Sequence, residues 1–526
     1  MTSLEISGLT IPGLVTRAAQ QWANHSAIED GEVNFSYSEL EIARIESAKA
    51  FIAAGIAKGD RIAIWAPNIH EWILAALGLQ TIGAVLVPIN TRMKGAEAGY
   101  VLRMSGAKML VTVSGFLGFD YPAMLKDENL PAIIKTIVMR GDSTGRISWA
   151  EFLEQASCIN DDTLAMCTAQ VAPEDLSDLI FTSGTTGNPK GVMTSHAQNI
   201  KVFEVWSELV GLNKDDRYLI VNPFFHSFGY KAGWLAALIR GATILPHAVF
   251  DAAQVMARVG KERVTVLPGP PTLYQTILAH PERGNYDLSC LRLAVTGAAA
   301  IPVSLIHKMR DELHFDTVLT AYGLTESCGV VTMCRVGDDA EIIATTSGRA
   351  IPDVEVRCVN EDNEEVARGS AGEIVVRGYN VMSGYFEDEE ETKKAIDNAG
   401  WLHTGDVGVM DEQGNIRITD RIKDMFIVGG FNCYPAEIEN LLATHESIAQ
   451  SAVIGIPDDR MGEVAMAFIV RRADKNLTEE EIVAWCREKM SNYKVPRTVR
   501  FIDALPLNAT GKVQKFVLRD QVLAGK

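Results

Sequence analysis

DLIFTSGTTGNPKG, residues 178–191, decides how the rest of the chain is read. Leu179, Ile180 and Phe181 form a short apolar run that gives way at Thr182 to hydroxyl and glycine residues, with Lys190 close behind. The pattern predicts a buried strand, then a loop leading into a helix. Hydroxyls and unobstructed backbone N–H groups in such a loop suit phosphate oxygens, and Lys190 adds a point charge. A Walker A loop needs glycine immediately before its lysine, and Pro189 stands there instead, which excludes that motif. A plain Gly/Ser linker is the bland alternative; agreement of composition and context over ten positions argues against it.

Outward from this segment, short apolar runs alternate with helical stretches: RIAIWA from Arg61, AVLVPI from Ala84, KMLVTV from Lys108, VTVLPG from Val264 and LRLAVTG from Leu291. Strands without polar alternation are buried on both faces, so the fold class expected is α/β, with mainly parallel sheets covered by helices. From about Ser347 the texture changes to short strands and acidic or glycine turns, as in GEIVVRGYNVMSGYF, which predicts a smaller β-barrel-like module. Beyond it, Pro435 and the acidic residues after it open a helix. AVIGIP and AMAFIVRR read as strands, and another helix begins near Thr478. The expected division is a large domain over 1–422 and an α+β domain over 423–526.

A chain of 526 residues exceeds what one compact core holds. Its 49 basic and 67 acidic residues leave a net charge of -18, which repels a phosphate backbone and argues against a nucleic-acid partner. Eight cysteines with no Cys-x-x-Cys pair read as reduced, mostly buried thiols. The first twenty residues lack a basic stretch followed by an apolar core, so no export signal is expected and a cytoplasmic location is. The apolar run from Trp72 to Val87 approaches membrane-spanning length. Gln80, Thr81 and Gly83 interrupt it, which predicts a buried helix running into a buried strand instead of a transmembrane segment.

TSGTTGNPKG resembles the phosphate loop of the adenylate-forming superfamily, which comprises acyl-CoA synthetases, peptide-synthetase adenylation domains and beetle luciferases; further motifs follow in the family's order along the whole chain. The resemblance implies that Thr182, Ser183, Gly184, Thr185, Thr186 and Lys190 hold ATP phosphates. In AYGLTES it implies that Tyr322 stacks on adenine beside Gly323, Thr325 meets phosphate and Glu326 helps hold Mg2+. Gly297, Ala298 and Ala299 of VTGAAAIP match the wall of the adenine and acyl sites. Asp406 of WLHTGD and Arg421 of DRIKD match the ribose contacts, Lys423 the hinge and Lys512 of PLNATGK the catalytic lysine. After rotation about the hinge, Gly429 and Gly430 lie where the pantetheine arm of coenzyme A passes, flanked by Phe431 and Cys433.

The chemistry agrees. A carboxylate has a poor leaving group, and ATP cleavage converts its oxygen into AMP, a good one. Negative charge then gathers on the phosphoryl oxygens, where fixed cations are the remedy. Singly, Glu326 reads equally well as a helix-start residue, Asp406 as a turn residue and Lys512 as a solvated lysine. Lys512 beside phosphate favours its charged form, so its work is electrostatic and not that of a base. Cys433 has no need to carry an acyl group when the thiol acceptor is coenzyme A itself. In NPFFHSFGYKAG, from Asn222, His226 reads as a contact to the substrate carboxylate, as a residue standing between the adenylation and thioester steps, or as a histidine packed in an aromatic core, and Lys231 either as a phosphate or substrate contact or as an exposed lysine.

NPFFHSFGYKAG, VLPGPPTLYQ and LTAYGLTESCG together look most similar to bacterial ligases acting on an indane-dione propanoate derived from the steroid C/D rings. Medium-chain fatty acid and aryl-propanoate ligases are the alternative within the family, since a methylene shifts discrimination by only about 1–3 kcal/mol. Readings from other function classes are a luciferase-like oxygenase, an adenylation enzyme loading a carrier protein in trans and a non-enzymatic binding module. The partners expected are a small-molecule carboxylic acid, ATP and coenzyme A; a homodimer stays open.

Overall fold

Two helix-covered sheets form the first of two compact units, residues 1–356 and 376–402. The computed structural model describes every residue except 1–5, 7, 183–188, 298–300, 422–423, 429–430, 459, 473–476, 491, 508–512 and 526, and the side chains of 420, 421, 431 and 432. One sheet runs in the order Gly384–Tyr385, Lys190–Ser195, Leu176–Thr182, Val85–Pro88, Arg61–Trp65, Met109–Thr112, Lys135–Val138, Ile147–Ser148. Neighbours from Leu176–Thr182 onward are parallel, whereas the edge made by Lys190–Ser195 and Gly384–Tyr385 is antiparallel. Ile62, Ala63, Ile64, Trp65, Leu86, Val87 and Val111 are wholly buried, which is the double-sided burial expected of unalternated apolar runs.

The apolar run at 72–87 resolves as expected. His70–Thr81 is a helix buried at every position from Glu71 to Thr81, and it leads into the buried strand Val85–Pro88. Among the described residues no helix is long and apolar enough to cross a membrane.

The second sheet joins Arg217–Ile220, Thr243–Pro246, Ser26–Asp30 and Val33–Ser36 to a second run, Leu293–Gly297, Thr317–Tyr322, Thr332–Met333 and Arg349–Ala350. Val266 links the two runs by parallel bridges to Tyr218 and Leu293. The expected strand from Val264 is thus reduced to one residue bridged on both sides. Pro268 and Pro270 lack N–H donors and turn the chain into the helix Pro271–Ala279.

The second compact unit takes residues 357–375 and 403–526. A four-stranded sheet in the order Val354–Val359, Ala371–Gly378, Leu402–Met410, Ile416–Arg421 accounts for the change of texture after Ser347. The tail builds a separate sheet around the long antiparallel pair Ile448–Asp458 and Gly462–Arg471, with Thr498–Phe501 parallel beside it. Helices Pro435–Leu442 and Glu479–Lys489 cover one core made of Ile438, Leu442, Val453, Ala467, Ile482 and Cys486. Pro435 opens the first helix, and Thr478 with Glu481 makes a capping box for the second.

Candidate active site

Leu176–Thr182 and Lys190–Ser195 pair antiparallel, with Thr182 opposite Lys190. Segment 183–188 therefore leaves and re-enters one sheet at adjacent points. The expectation of a loop leading into a helix is corrected: the strand Lys190–Ser195 intervenes, and the helix starts only at His196, where Ser195 and Gln198 form a capping box. Val192 and Thr194 favour the extended backbone, and Gly384–Tyr385 pairs with the outer edge of the same strand. Charge near the loop thus comes from Lys190 and not from a helix terminus directly following it. Ser183, Gly184, Thr185 and Thr186 lie outside the described residues.

Lys190 forms an ion pair with Glu391, and its ammonium lies 5.2 Å from the centre of the Tyr385 ring. Hydrogen bonds from Lys190 and Lys394 hold the Glu391 carboxyl at about 2, far below its ordinary value. Tyr385 donates its hydroxyl to Glu326 at 3.1 Å, and the Thr182 hydroxyl is 3.4 Å from the same carboxylate oxygen. Burial first, then the Glu326 charge, raises the Tyr385 pKa, so the phenol stays a donor. Three residues expected at the phosphate end, Thr182, Lys190 and Glu326, are therefore joined through one tyrosine. Sequence reasoning missed both Tyr385 and Glu391. The tyrosine follows an inconspicuous Ser-Gly turn, and EDEEET reads as a solvated acidic run.

On the second sheet Gly297 lies in register with Ala321, which sets it beside the strand end carrying Tyr322. Tyr322 is 8% exposed, and Thr325 and Glu326 follow in a short 3-10 turn. A side chain at Gly323 would put its Cβ 2.2 Å from the Gly329 carbonyl oxygen, so this turn admits only glycine. Ala298 and Ala299 lie outside the described residues.

The aromatic segment splits. Phe224 and Tyr230 are wholly buried and pack against Trp72 at 5.5 and 6.1 Å, while His226 is exposed. His226 Nδ1 accepts from Phe228 N–H at 3.2 Å, capping the turn. The histidine is thus not packed in the aromatic core. Lys231 departs from the exposed reading given to it: it is fully buried against Asp178.

In the second unit Asp406 stands opposite Arg421 across an antiparallel pair, which brings the two expected ribose contacts to adjoining strands. Asp406 is 4% exposed. Lys423, Gly429, Gly430 and Lys512 lie outside the described residues. Cys433 is buried in the core of its unit, as a structural cysteine would be. Asp30, His70 and Glu71 also converge closely enough to suggest a metal site, but Arg140 already bonds Asp30 and Glu71 at 2.6 and 2.7 Å.

Known proteins match this chain along most of its length. The AMP-binding enzyme family matches residues 15–386, and the AMP-binding enzyme C-terminal domain matches residues 437–512. A Rhodococcus jostii (strain RHA1) protein named 3-((3aS,4S,7aS)-7a-methyl-1,5-dioxo-octahydro-1H-inden-4-yl)propanoyl:CoA ligase is 50% identical over 521 residues, covering 97% of this chain and 98% of that one. The crystal structure of the anthranilate CoA ligase AuaEII with anthranoyl-AMP superposes with a TM-score of 0.88 at 26% identity, covering 99% of each chain. ATP-bound MatB from Rhodopseudomonas palustris gives 0.85 at 29% identity, covering 98% of this chain and 99% of that one.

Proposed function

Since the chain belongs to the AMP-binding enzyme family over both of its matched domains, we propose that it activates an indane-dione propanoate derived from a steroid ring and transfers it to coenzyme A. It is an enzyme of the acid-thiol ligase type. A carboxylate oxygen attacks the α-phosphorus of ATP and the α–β phosphoanhydride bond breaks, releasing pyrophosphate. The thiol sulfur of coenzyme A then attacks the acyl carbon, and AMP leaves.

The observation that carries the reading is the constellation at the open end of the antiparallel strand pair. Lys190 supplies a cation where charge develops on phosphoryl oxygens, and Glu326 with Thr182 supplies oxygen donors beside it. Oxygen donors with a single carboxylate suit Mg2+, which keeps waters and phosphate oxygens in its shell. Glu326 would hold it, and the bound ion would offset phosphate charge. Tyr385 holds Glu326 in its aim by donating to it. Asp406 and Arg421 are assigned to the ribose, Lys512 to the α-phosphate, Gly429 and Gly430 to the pantetheine passage, and Lys423 to the hinge between domains 1–422 and 423–526. ATP and coenzyme A supplied in the cytoplasm would serve it there.

The test is acid-dependent ATP–pyrophosphate exchange, comparing the indane-dione propanoate with saturated medium-chain fatty acids and aryl-propanoates by kcat/KM. A preference of more than about tenfold for the ring-bearing acid supports the substrate assignment. Preference for a fatty acid replaces that substrate, and exchange with no acid tried overturns the ligase reading.

A further inference from the structure

A buried ion pair underlies the site and takes no part in the chemistry above. Lys231 Nζ lies 3.1 Å from Asp178 Oδ1, and both side chains are 0% exposed. The Thr194 hydroxyl bridges them, accepting from Lys231 at 2.9 Å and donating to Asp178 Oδ1 at 2.7 Å. Asp178 Oδ2 accepts from Asn199 Nδ2 at 2.6 Å and from the Ser177 hydroxyl at 2.8 Å. Both carboxylate oxygens are therefore engaged, with no access to water.

Stability alone does not explain the arrangement. Desolvating two charges costs several kcal/mol per ion, and well-packed apolar replacements of such pairs are often neutral or stabilising. The place of the pair supplies a reason. Asp178 and Thr194 face each other in register within the strand pair that brackets the phosphate segment, four residues inward from Thr182 and Lys190. Lys231 belongs to a π-helical turn, Tyr230–Leu235, that begins four residues after His226. Wide turns of this kind re-aim side chains and recur at functional sites. Cys328, two residues after Glu326, is wholly buried; burial above all raises its thiol pKa, with the charges of Lys231 and Asp178 acting on it in opposite directions. Three segments that carry site residues thus meet at one buried charge pair.

We propose that Asp178 and Lys231 are positioning residues: their Thr194-bridged pair fixes the strands bearing Thr182 and Lys190 against the turn bearing His226, and so sets the phosphate-to-acyl spacing for adenylate formation. The proposal rests on the ligase reading given above. It implies that removing the charges while keeping the packing leaves the fold standing and the reacting groups misplaced.

The test compares wild type, Thr194→Val and the double variant Asp178→Leu/Lys231→Met. The double variant should keep a Tm near wild type. Its kcat for acid-dependent ATP–pyrophosphate exchange should fall by about tenfold or more with KM for ATP little changed, because misplacement of this order acts on the chemical step. Thr194→Val should lower kcat several-fold and speed amide hydrogen exchange in both 176–182 and 222–235. Wild-type kcat in a folded double variant overturns the proposal. So does exchange that quickens in only one of the two segments of Thr194→Val, which decides the matter if the double variant does not fold. Should wild type itself show no acid-dependent exchange, the ligase reading fails, and hydrogen exchange alone scores the coupling between segments.

Discussion

The Lys190 ammonium is already engaged by Glu391, so a triphosphate has to compete for it. Glu391→Gln should therefore lower KM for ATP, by up to about fivefold for a pair this accessible to solvent, in steady-state kinetics with saturating acid and coenzyme A. An increase in KM would mean that the carboxylate holds Lys190 in its productive place instead. Because the Glu391 carboxyl is held at about 2, below the ordinary 4.5, the pair is complete above about pH 4.5 and fades as the pH falls toward 2. The Glu391→Gln effect should accordingly be the same at any assay pH between about 6 and 8. That Thr182, Lys190 and Glu326 stand together was legible, because hydroxyl, glycine and charged residues are crowded in the short motifs that carry them. Glu391 and Tyr385 were not, since their importance comes from contacts 195 to 201 positions away in the chain, or 59 for Tyr385 with Glu326. Lys231 was misread for the same reason: nothing local announces that a lysine is buried.

At the scale of elements, the buried strands and the helix start near Thr478 could be read directly, because apolar runs and capping residues act locally. The strand following Lys190 could not, since its partner Gly384–Tyr385 comes from nearly two hundred residues away. Gly229 is the tightest point in the turn behind His226: a Cβ there would lie 2.2 Å from the Asn222 carbonyl oxygen and 2.3 Å from that of Pro223. Gly229→Ala should destabilise by roughly 1–3 kcal/mol in denaturant melts and reduce kcat/KM for the acid, because backbone has to yield. His196 opens the helix His196–Leu209 and accepts from the Ile11 N–H at 3.3 Å. Burial depresses its pKa to about 4 against the opposing charges of Asp178 and Asp175. Below pH 6.5 the unfolded chain therefore binds a proton that the folded one refuses, and stability drains away as the pH falls from 6.5 toward 4. His196→Asn, which keeps an acceptor, should flatten that part of a plot of denaturation midpoint against pH.

At the scale of the molecule, the proposed role of Lys512 separates the two half-reactions. Lys512→Ala should reduce adenylation by on the order of 100-fold or more while a supplied acyl-adenylate is still converted to the thioester. Equal loss in both, measured by pyrophosphate exchange and by thioester formation, would remove that lysine from its assigned role. The doubly covered parallel architecture was legible because buried strands leave a compositional mark, whereas the allotment of residues to compact units was not, because it depends on which strands pair. The second unit is stitched from two stretches, 357–375 and 403–526, so the polypeptide passes between the units three times. Severing the chain at residue 402 would leave Ala371–Gly378 without its neighbour Leu402–Met410 and bare a row of unpaired amides, an invitation to self-association. A cut beyond Arg421 keeps that sheet whole, which makes it the sounder place to divide the gene when either half is wanted alone.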